Sequence, residues 1–115
     1  MALSEFELKR CERLLVAFVE SRRPPAHLRS QLDIGFRITG HSMEIFEIRP
    51  QWDQPEITRE HPVAKVKYVR TSSSWRLFWL RGDLKWHRYD PAPELRTLEE
   101  ALRVIGEDEY GCFWG

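Results

Sequence analysis

The sequence has no excess of either charge, because its 18 Lys and Arg residues are balanced by 18 Asp and Glu residues. Such a chain has no overall field to steer it toward nucleic acid or an anionic membrane, although a local basic patch can still exist. Long apolar runs are also missing: none approaches the roughly 20 residues that a membrane-spanning helix needs. The N-terminus lacks a basic segment followed by an apolar run, so no signal peptide is expected. The expected location is the cytoplasm, without membrane association.

Cysteine is scarce as well. The two cysteines, Cys11 and Cys112, are far apart and lack the spacing of a zinc ligand pair or of a disulfide framework. The four histidines are scattered along the chain and form no close pair of the kind that zinc sites use. The sequence therefore predicts reduced, partly buried thiols, no metal site and no cofactor.

The composition is sufficient for one folded domain. Hydrophobic residues make up 42% and charged residues 31% of the 115 positions, which is ordinary for a globular protein. We expect a single α+β domain over residues 1–115. It should contain an N-terminal amphipathic helix, an antiparallel sheet of about five strands built from hairpins, and a C-terminal helix packed on the same face of the sheet. The apolar tail 107–115 is expected to dock back on the sheet.

Capping signals indicate where both helices begin. Ser4 and Glu7 have the spacing of a capping box, and apolar residues then recur at helical spacing until Pro24 ends the pattern. Thr97 and Glu100 have the same spacing, which predicts that the second helix begins there. Gly106 is the expected C-cap of that helix.

Alternation of apolar and polar residues predicts the strands. The first three are expected at Ile34–Ile38, Glu44–Ile48 and Val63–Arg70, with the second strand placed centrally because both of its faces carry apolar groups. The polar stretch Gln51–Pro62 is expected to be a long loop. Loops of this length are often functional, and Trp52 should anchor this one on the core.

The last two strands form a hairpin over residues 75–89, which holds three of the five tryptophans. The turn is expected at Gly82, because glycine adopts a positive φ without strain. We expect Trp75, Trp79 and Trp86 to form much of the core beneath the helices. The opposite face of the sheet would then be the contact surface.

Three parts of the chain resemble a bacterial family of proteins of unknown function, the one numbered 3024. They are the hairpin 75–89, the closing Tyr110-Gly-Cys-Phe-Trp-Gly115 and a middle section that includes Phe46-Glu-Ile-Arg-Pro50 with Trp52. The resemblance covers nearly the whole chain from the first helix onward. It implies a small bacterial protein with no established activity, and it supplies no catalytic residues.

Two functional alternatives to simple binding remain open on the sequence. Glu47, Asp83 and Lys85 could form the carboxylate–lysine centre of a metal-dependent phosphodiester hydrolase, in which carboxylates hold a hard cation and the lysine steadies phosphate charge. Cross-strand ion pairing is the favoured interpretation of these residues. A self-associating accessory protein is also conceivable, because an edge strand of such a sheet can pair across the axis of a homodimer.

The preferred hypothesis is a non-catalytic binding or regulatory module. Its partner would be a protein or a single-stranded nucleic acid, because cations mixed with aromatic rings suit phosphates with stacked bases and also suit protein interfaces. The open face of the sheet and the stretch Gln51–Pro62 are the expected contact region. The candidate binding residues are Trp52, Arg81, Lys85, His87, Arg88 and Tyr89.

Overall fold

The computed structural model describes residues 3–115 and confirms the predicted α+β order of helix, antiparallel sheet and helix. No helix in this range combines the length and the apolar character that spanning a membrane requires. The elements are α1 (Glu5–Arg22), β1 (Asp33–Thr39), β2 (Ser42–Gln51), β3 (Gln54–Val69), β4 (Ser74–Leu80), β5 (Trp86–Arg88), β6 (Glu94–Leu95) and α2 (Leu98–Glu107), with short 3₁₀ helices at Ala26–Leu28 and Arg70–Ser72.

Helix α1 begins at the predicted capping box. The Ser4 hydroxyl accepts the backbone N–H of Glu7 at 3.1 Å, and the Glu7 carboxylate accepts the backbone N–H of Ser4 at 2.9 Å. These two bonds satisfy donors that would otherwise be unpaired at a helix N-terminus. The same two bonds are the largest reason why the pKa of the Glu7 carboxyl is lowered. The helix ends at Arg22, just before Pro24-Pro25, as expected.

The sheet is antiparallel throughout, in the order β1-β2-β3-β4-β5, with the short β6 pairing beside β5 on the same edge of β4. Strand β2 is therefore internal, as the apolar groups on both of its faces predicted. A register shift between Ile45 and Phe46 marks a bulge opposite residues 62–64 of β3.

The prediction of a loop at Gln51–Pro62 is wrong. Strands β2 and β3 continue as an arm of two paired strands that extends past the start of β1, with a tight turn at Trp52–Asp53. Two prolines, Pro55 and Pro62, and a polar composition had suggested irregular structure. Prolines are tolerated in a strand whose outer N–H groups face solvent, and both edges of the arm are free of further strands.

One face of the sheet packs against both helices and carries the core. Leu15 and Val19 of α1 and Ile105 of α2 share one buried cluster with Met43, Ile45, Val66 and Leu77 of the sheet. We call this the helix-covered face and the other one the open face. Leu77, Leu15 and Ile105 are 0% exposed, so the centre of the core is shielded from bulk solvent.

The tryptophans are distributed differently from the prediction. Trp75 is buried at 7% exposure, and its ring lies tilted against that of Tyr68 with the centroids 5.0 Å apart, as expected for a core residue. Trp79 is only partly buried. Trp86 pairs with Leu80 in the hairpin register, which places it on the open face instead of beneath the helices. Of the three rings, only Trp75 is a full member of the buried cluster.

The hairpin turn also differs from the prediction, because the residue with positive φ is Leu84 at +62°, and Gly82 is not in the left-handed region. The predicted C-cap of α2 is similarly displaced. Gly106 is still helical, and Asp108 with a φ of 43° ends the helix.

The C-terminal tail is docked, as predicted. Asp108 accepts the backbone N–H of Phe113 at 3.0 Å and of Trp114 at 2.8 Å, while the indole of Trp114 donates to the carbonyl of Ile105 at 2.9 Å. The Phe113 ring is buried in the core, and the Arg22 guanidinium lies 4.2 Å from the Trp114 ring centroid. The tail thus closes the end of the domain where both helices finish.

Candidate ligand-binding face of the sheet

The open face of the sheet is defined by strand alternation and by the register of the pairs. Because Ala64, Val66 and Leu77 point into the core, their neighbours along each strand point the other way. The side chains on the open face are Arg37 of β1, Glu44 and Phe46 of β2, Lys65 and Lys67 of β3, Arg76, Phe78 and Leu80 of β4, Trp86 and Arg88 of β5, and Glu94 of β6.

One row across this face places an aromatic ring between two cations. Lys65 pairs with Phe78, and Phe78 pairs with Arg88 on its other side. The Phe78 ring is half-buried, and Trp86 is a diagonal neighbour on the same face. A partly exposed ring flanked by ammonium and guanidinium groups suits a base with its phosphates.

The adjacent row brings two cations directly together. Lys67 and Arg76 are opposite each other in the register and both are exposed. Neither forms an ion pair with any residue in the range 3–115. Like charges directly opposite on a sheet reduce stability, so their own fold gives no reason for this pairing. A shallow depression of about 230 Å³ adjoins the pair and is also lined by His41 and Thr71.

The acidic groups of the open face are already engaged. Arg37 binds Glu60 through two contacts of 2.8 and 2.9 Å and lies 3.7 Å from Glu44. The Glu94 carboxylate, which is opposite Arg76 on β6, accepts the hydroxyl of Ser74. Of the remaining cations, Lys65, Lys67 and Arg76 form no ion pair with a described residue, and Arg88 of β5 lies 3.9 Å from Asp90. These four cations on β3, β4 and β5 form a basic stripe: Lys65, Lys67, Arg76 and Arg88.

The sequence-predicted binding residues are divided among five locations. Arg88 lies on the open face, whereas His87 pairs with Trp79 and so lies on the helix-covered face. The Arg81 guanidinium stands 5.4 Å from the Trp79 ring centroid, on that same side. Lys85 is exposed in the hairpin turn, and Trp52 lies at the tip of the arm with 92% of its surface exposed.

Tyr89, the sixth candidate, belongs to the core. Its side chain is 2% exposed and its ring lies 4.8 Å from that of Phe113. Burial raises the pKa of the Tyr89 phenol, with nearby Cys112 and Asp108 adding to the effect. The ring therefore supports the docked tail and offers little surface to a ligand.

The three residues of the hydrolase alternative are not brought into one cluster. Glu47 is on β2 and pairs with Arg49 at 3.2 Å, while Asp83 is in the β4–β5 turn, two strands away in the sheet order. Asp83 accepts from the His87 ring at 2.8 Å and from the backbone of Lys85 at 3.0 Å. The His87 bond is the main reason why the pKa of Asp83 is lowered.

Residues 3–115 contain no group of three His, Cys, Asp or Glu side chains that could hold a metal ion. The two thiols are not activated either, because burial raises the pKa of both Cys11 and Cys112. The described part of the chain offers a charged and aromatic surface on the open face of its sheet.

Sequence reasoning missed the central feature of this face, the Phe78 ring between Lys65 and Arg88. The alternation of side chains along a strand predicts the face on which each of these three residues lies, and it places Phe78 and Trp79 on opposite faces. Alternation does not predict the register that aligns the three strands, because register depends on the length of each turn.

Comparison with proteins of curated function and with solved structures gives no match to this chain. A family model described as "Domain of unknown function (DUF3024)" matches residues 3–115. The match covers almost the whole chain, including the hairpin and the C-terminal motif that resemble this family. The chain therefore belongs to the DUF3024 family.

Proposed function

We propose that this protein is a non-catalytic module that binds single-stranded nucleic acid on the open face of its sheet. The observation that carries the proposal is the exposed pair of like charges, Lys67 and Arg76, which lie directly opposite each other and form no ion pair with any described residue. Phosphate groups would remove the repulsion between them. The pair would thus stabilise the complex at the expense of the free protein.

The adjacent row supplies the second element of such a site. Phe78 is half-buried between Lys65 and Arg88, so a base can stack on the ring while phosphates meet the cations on either side. Two residues along a strand advance about 7 Å, so the charged row and the aromatic row can serve successive parts of one strand of nucleic acid. Base–aromatic stacking contributes roughly 1–3 kcal/mol per base and tolerates any sequence.

The first test is a titration of fluorescently labelled single-stranded DNA and RNA with the protein at low salt, followed by anisotropy. We expect saturable binding to at least one of the two oligonucleotides. Phe78→Ala should weaken binding about 5- to 150-fold, the factor that corresponds to one lost stacking contact. Unchanged affinity of Phe78→Ala would contradict the assignment of this ring.

The charge requirement has a matched control. Lys67→Glu with Arg76→Glu and Lys9→Glu with Arg13→Glu both take the formal net charge from 0 to −4. Lys9 and Arg13 are exposed on α1, on the opposite side of the domain. The first variant should lose more than about tenfold in affinity and the second should lose much less. Equal losses of affinity would show that only net charge matters, and they would contradict the assignment of a binding site to the open face.

The fluorescence of Trp86 can report whether the oligonucleotide binds on the open face. It is the only tryptophan that the register places on the open face of the described strands. Bound oligonucleotide should therefore quench part of the intrinsic fluorescence. Trp86→Phe should remove most of that quenching while anisotropy still reports binding.

A further inference from the structure

A small depression lies at one end of the open face, beside the pair Lys67 and Arg76. It has a volume of about 230 Å³, and its walls include His41, Arg70 and Thr71 as well as that pair. None of the described residues that line it is an aspartate or a glutamate. Pockets for drug-sized ligands usually have about 300–1,000 Å³, so the depression suits a small anionic group better than a whole nucleotide.

The charge at the depression is positive and is not balanced within the described chain. Arg70 binds Glu7 at 3.2 Å, so the charge of this guanidinium already has a counter-ion. Lys67 and Arg76 are exposed, lie directly opposite each other and form no ion pair with a described residue. The excess of positive charge therefore comes from these two side chains, which contribute one charge each.

The His41 ring adds a hydrogen-bonding group that its own fold does not use. His41 lies in the β1–β2 turn, and its carbonyl accepts the backbone N–H of Tyr68 at 2.9 Å, which holds this turn against β3. The imidazole Nδ1 is buried and has no hydrogen-bond partner among the described residues. A buried polar atom without a partner destabilises the free protein. Because nothing holds this nitrogen, a half-turn of the ring can bring it to a bound anion without breaking a hydrogen bond.

The depression also lies where the sheet stops. Beyond the row of Lys67, the open face of β3 and β4 carries only Val69 and Ser74 before both strands end at the 3₁₀ helix Arg70–Ser72. The β1–β2 turn borders the same end of the sheet. A strand of nucleic acid that runs from the Phe78 row to the Lys67 row therefore reaches the depression as it leaves the face.

From this placement we infer that the depression binds the terminal phosphate of the strand that occupies the open face, an inference that rests on the proposed function. A terminal phosphate has a charge of about −1.5 to −2 and three acceptor oxygens, whereas a phosphodiester within a strand has a charge of about −1. Lys67 and Arg76 match the larger charge, and His41 and Thr71 supply further hydrogen-bond donors. The site therefore favours the end of a strand over its interior.

The test compares three oligonucleotides of one sequence, labelled in the interior, which end in a 5′-phosphate, a 3′-phosphate or hydroxyl groups only. Anisotropy at low salt should show that one phosphorylated form binds about tenfold or more tightly than the hydroxyl form, the factor of one added hydrogen bond to a charged group. The end that is preferred gives the direction of the bound strand. Equal affinities of all three would overturn the inference and leave the proposed function intact, whereas no binding of any would overturn both.

Two variants separate a site in the depression from a general effect of the added phosphate charge. His41→Ala and Thr71→Val leave the formal net charge at 0 with His neutral, and each should bring the ratio of the two affinities closer to one. His27→Ala is the matched control, because it removes an exposed histidine from the 3₁₀ helix Ala26–Leu28, and it should keep the wild-type ratio. Phe78→Ala should weaken the phosphorylated and hydroxyl forms alike. A ratio unchanged in both His41→Ala and Thr71→Val would overturn the assignment to the depression.

Discussion

At the scale of single residues, Gly35 shows how the open face depends on close packing. A Cβ atom at this position would lie 3.0 Å from Cε1 and 3.2 Å from Cζ of the Phe46 ring. That ring is 7% exposed and has the Arg37 guanidinium 4.9 Å from its centroid, so it has little freedom to move. Glycine is therefore needed here for space, and its φ is ordinary.

We predict that Gly35→Ala lowers the free energy of unfolding by about 1–3 kcal/mol, the usual effect of overpacking. Gly82→Ala is the control, because a Cβ there meets nothing within 4 Å and its φ is not in the left-handed region. Denaturant unfolding of the two variants measures the difference. Equal stability would show that Phe46 can shift freely.

A second residue-scale prediction concerns Asp33, which joins β1 to the end of α1. Arg23 donates to both carboxylate oxygens, at 2.8 and 2.9 Å, and the backbone N–H of Ile34 donates to Oδ1 at 2.8 Å. The Arg23 bonds are the largest cause of the lowered pKa of Asp33. The contribution of this group to stability is therefore fully present above the unfolded-state pKa and is lost as pH falls through the folded-state value.

Asp33→Asn should lower the thermal midpoint at neutral pH, because it removes the charge that Arg23 binds. The difference from the wild type should shrink under acidic conditions, where the wild-type carboxyl is protonated as well. Thermal unfolding followed by circular dichroism at several pH values between 7 and about 3 measures this. A constant difference across that range would contradict the ion-pair explanation.

At the scale of elements, the backbone of the docked tail is held by the side chain of Asp108. Asp108 accepts two backbone N–H groups, and its own φ of 43° begins the turn into the tail. We predict that Asp108→Ala lowers the free energy of unfolding by about 2 kcal/mol, because bonds to a charged acceptor are among the stronger ones. Hydrogen exchange should show early loss of protection at Phe113 and Trp114. Unchanged exchange there would mean that Phe113 packing alone holds the tail.

The elements differ in how far the sequence predicts them. Helix α1 was predictable because a capping box is a contact between residues three apart, and the strands because alternation is local. The arm was not, since prolines and charges usually indicate a loop, and they are compatible with a strand only when both edges stay in solvent. The position of Trp86 was missed for another reason: the turn sets the register, and the register pairs Trp86 with Leu80.

At the scale of the whole molecule, the neutral net charge conceals an uneven distribution. Acidic groups of the open face are used in contacts with Arg37 and Ser74, and four further cations gather on β3, β4 and β5. Composition could exclude an overall field, but it could not reveal this local stripe, because the stripe exists only once three strands are aligned. The candidate site is thus a property of the sheet's register more than of any motif.

The most direct test of the central proposal is the salt dependence of binding to a short single-stranded oligonucleotide. If Lys65, Lys67, Arg76 and Arg88 all meet phosphates, the logarithm of the association constant should fall with the logarithm of salt concentration with a slope of about −3. Lys67→Ala with Arg76→Ala should make the slope about half as steep. No binding at low salt, or a slope unaffected by removing that pair, would contradict the account of the open face.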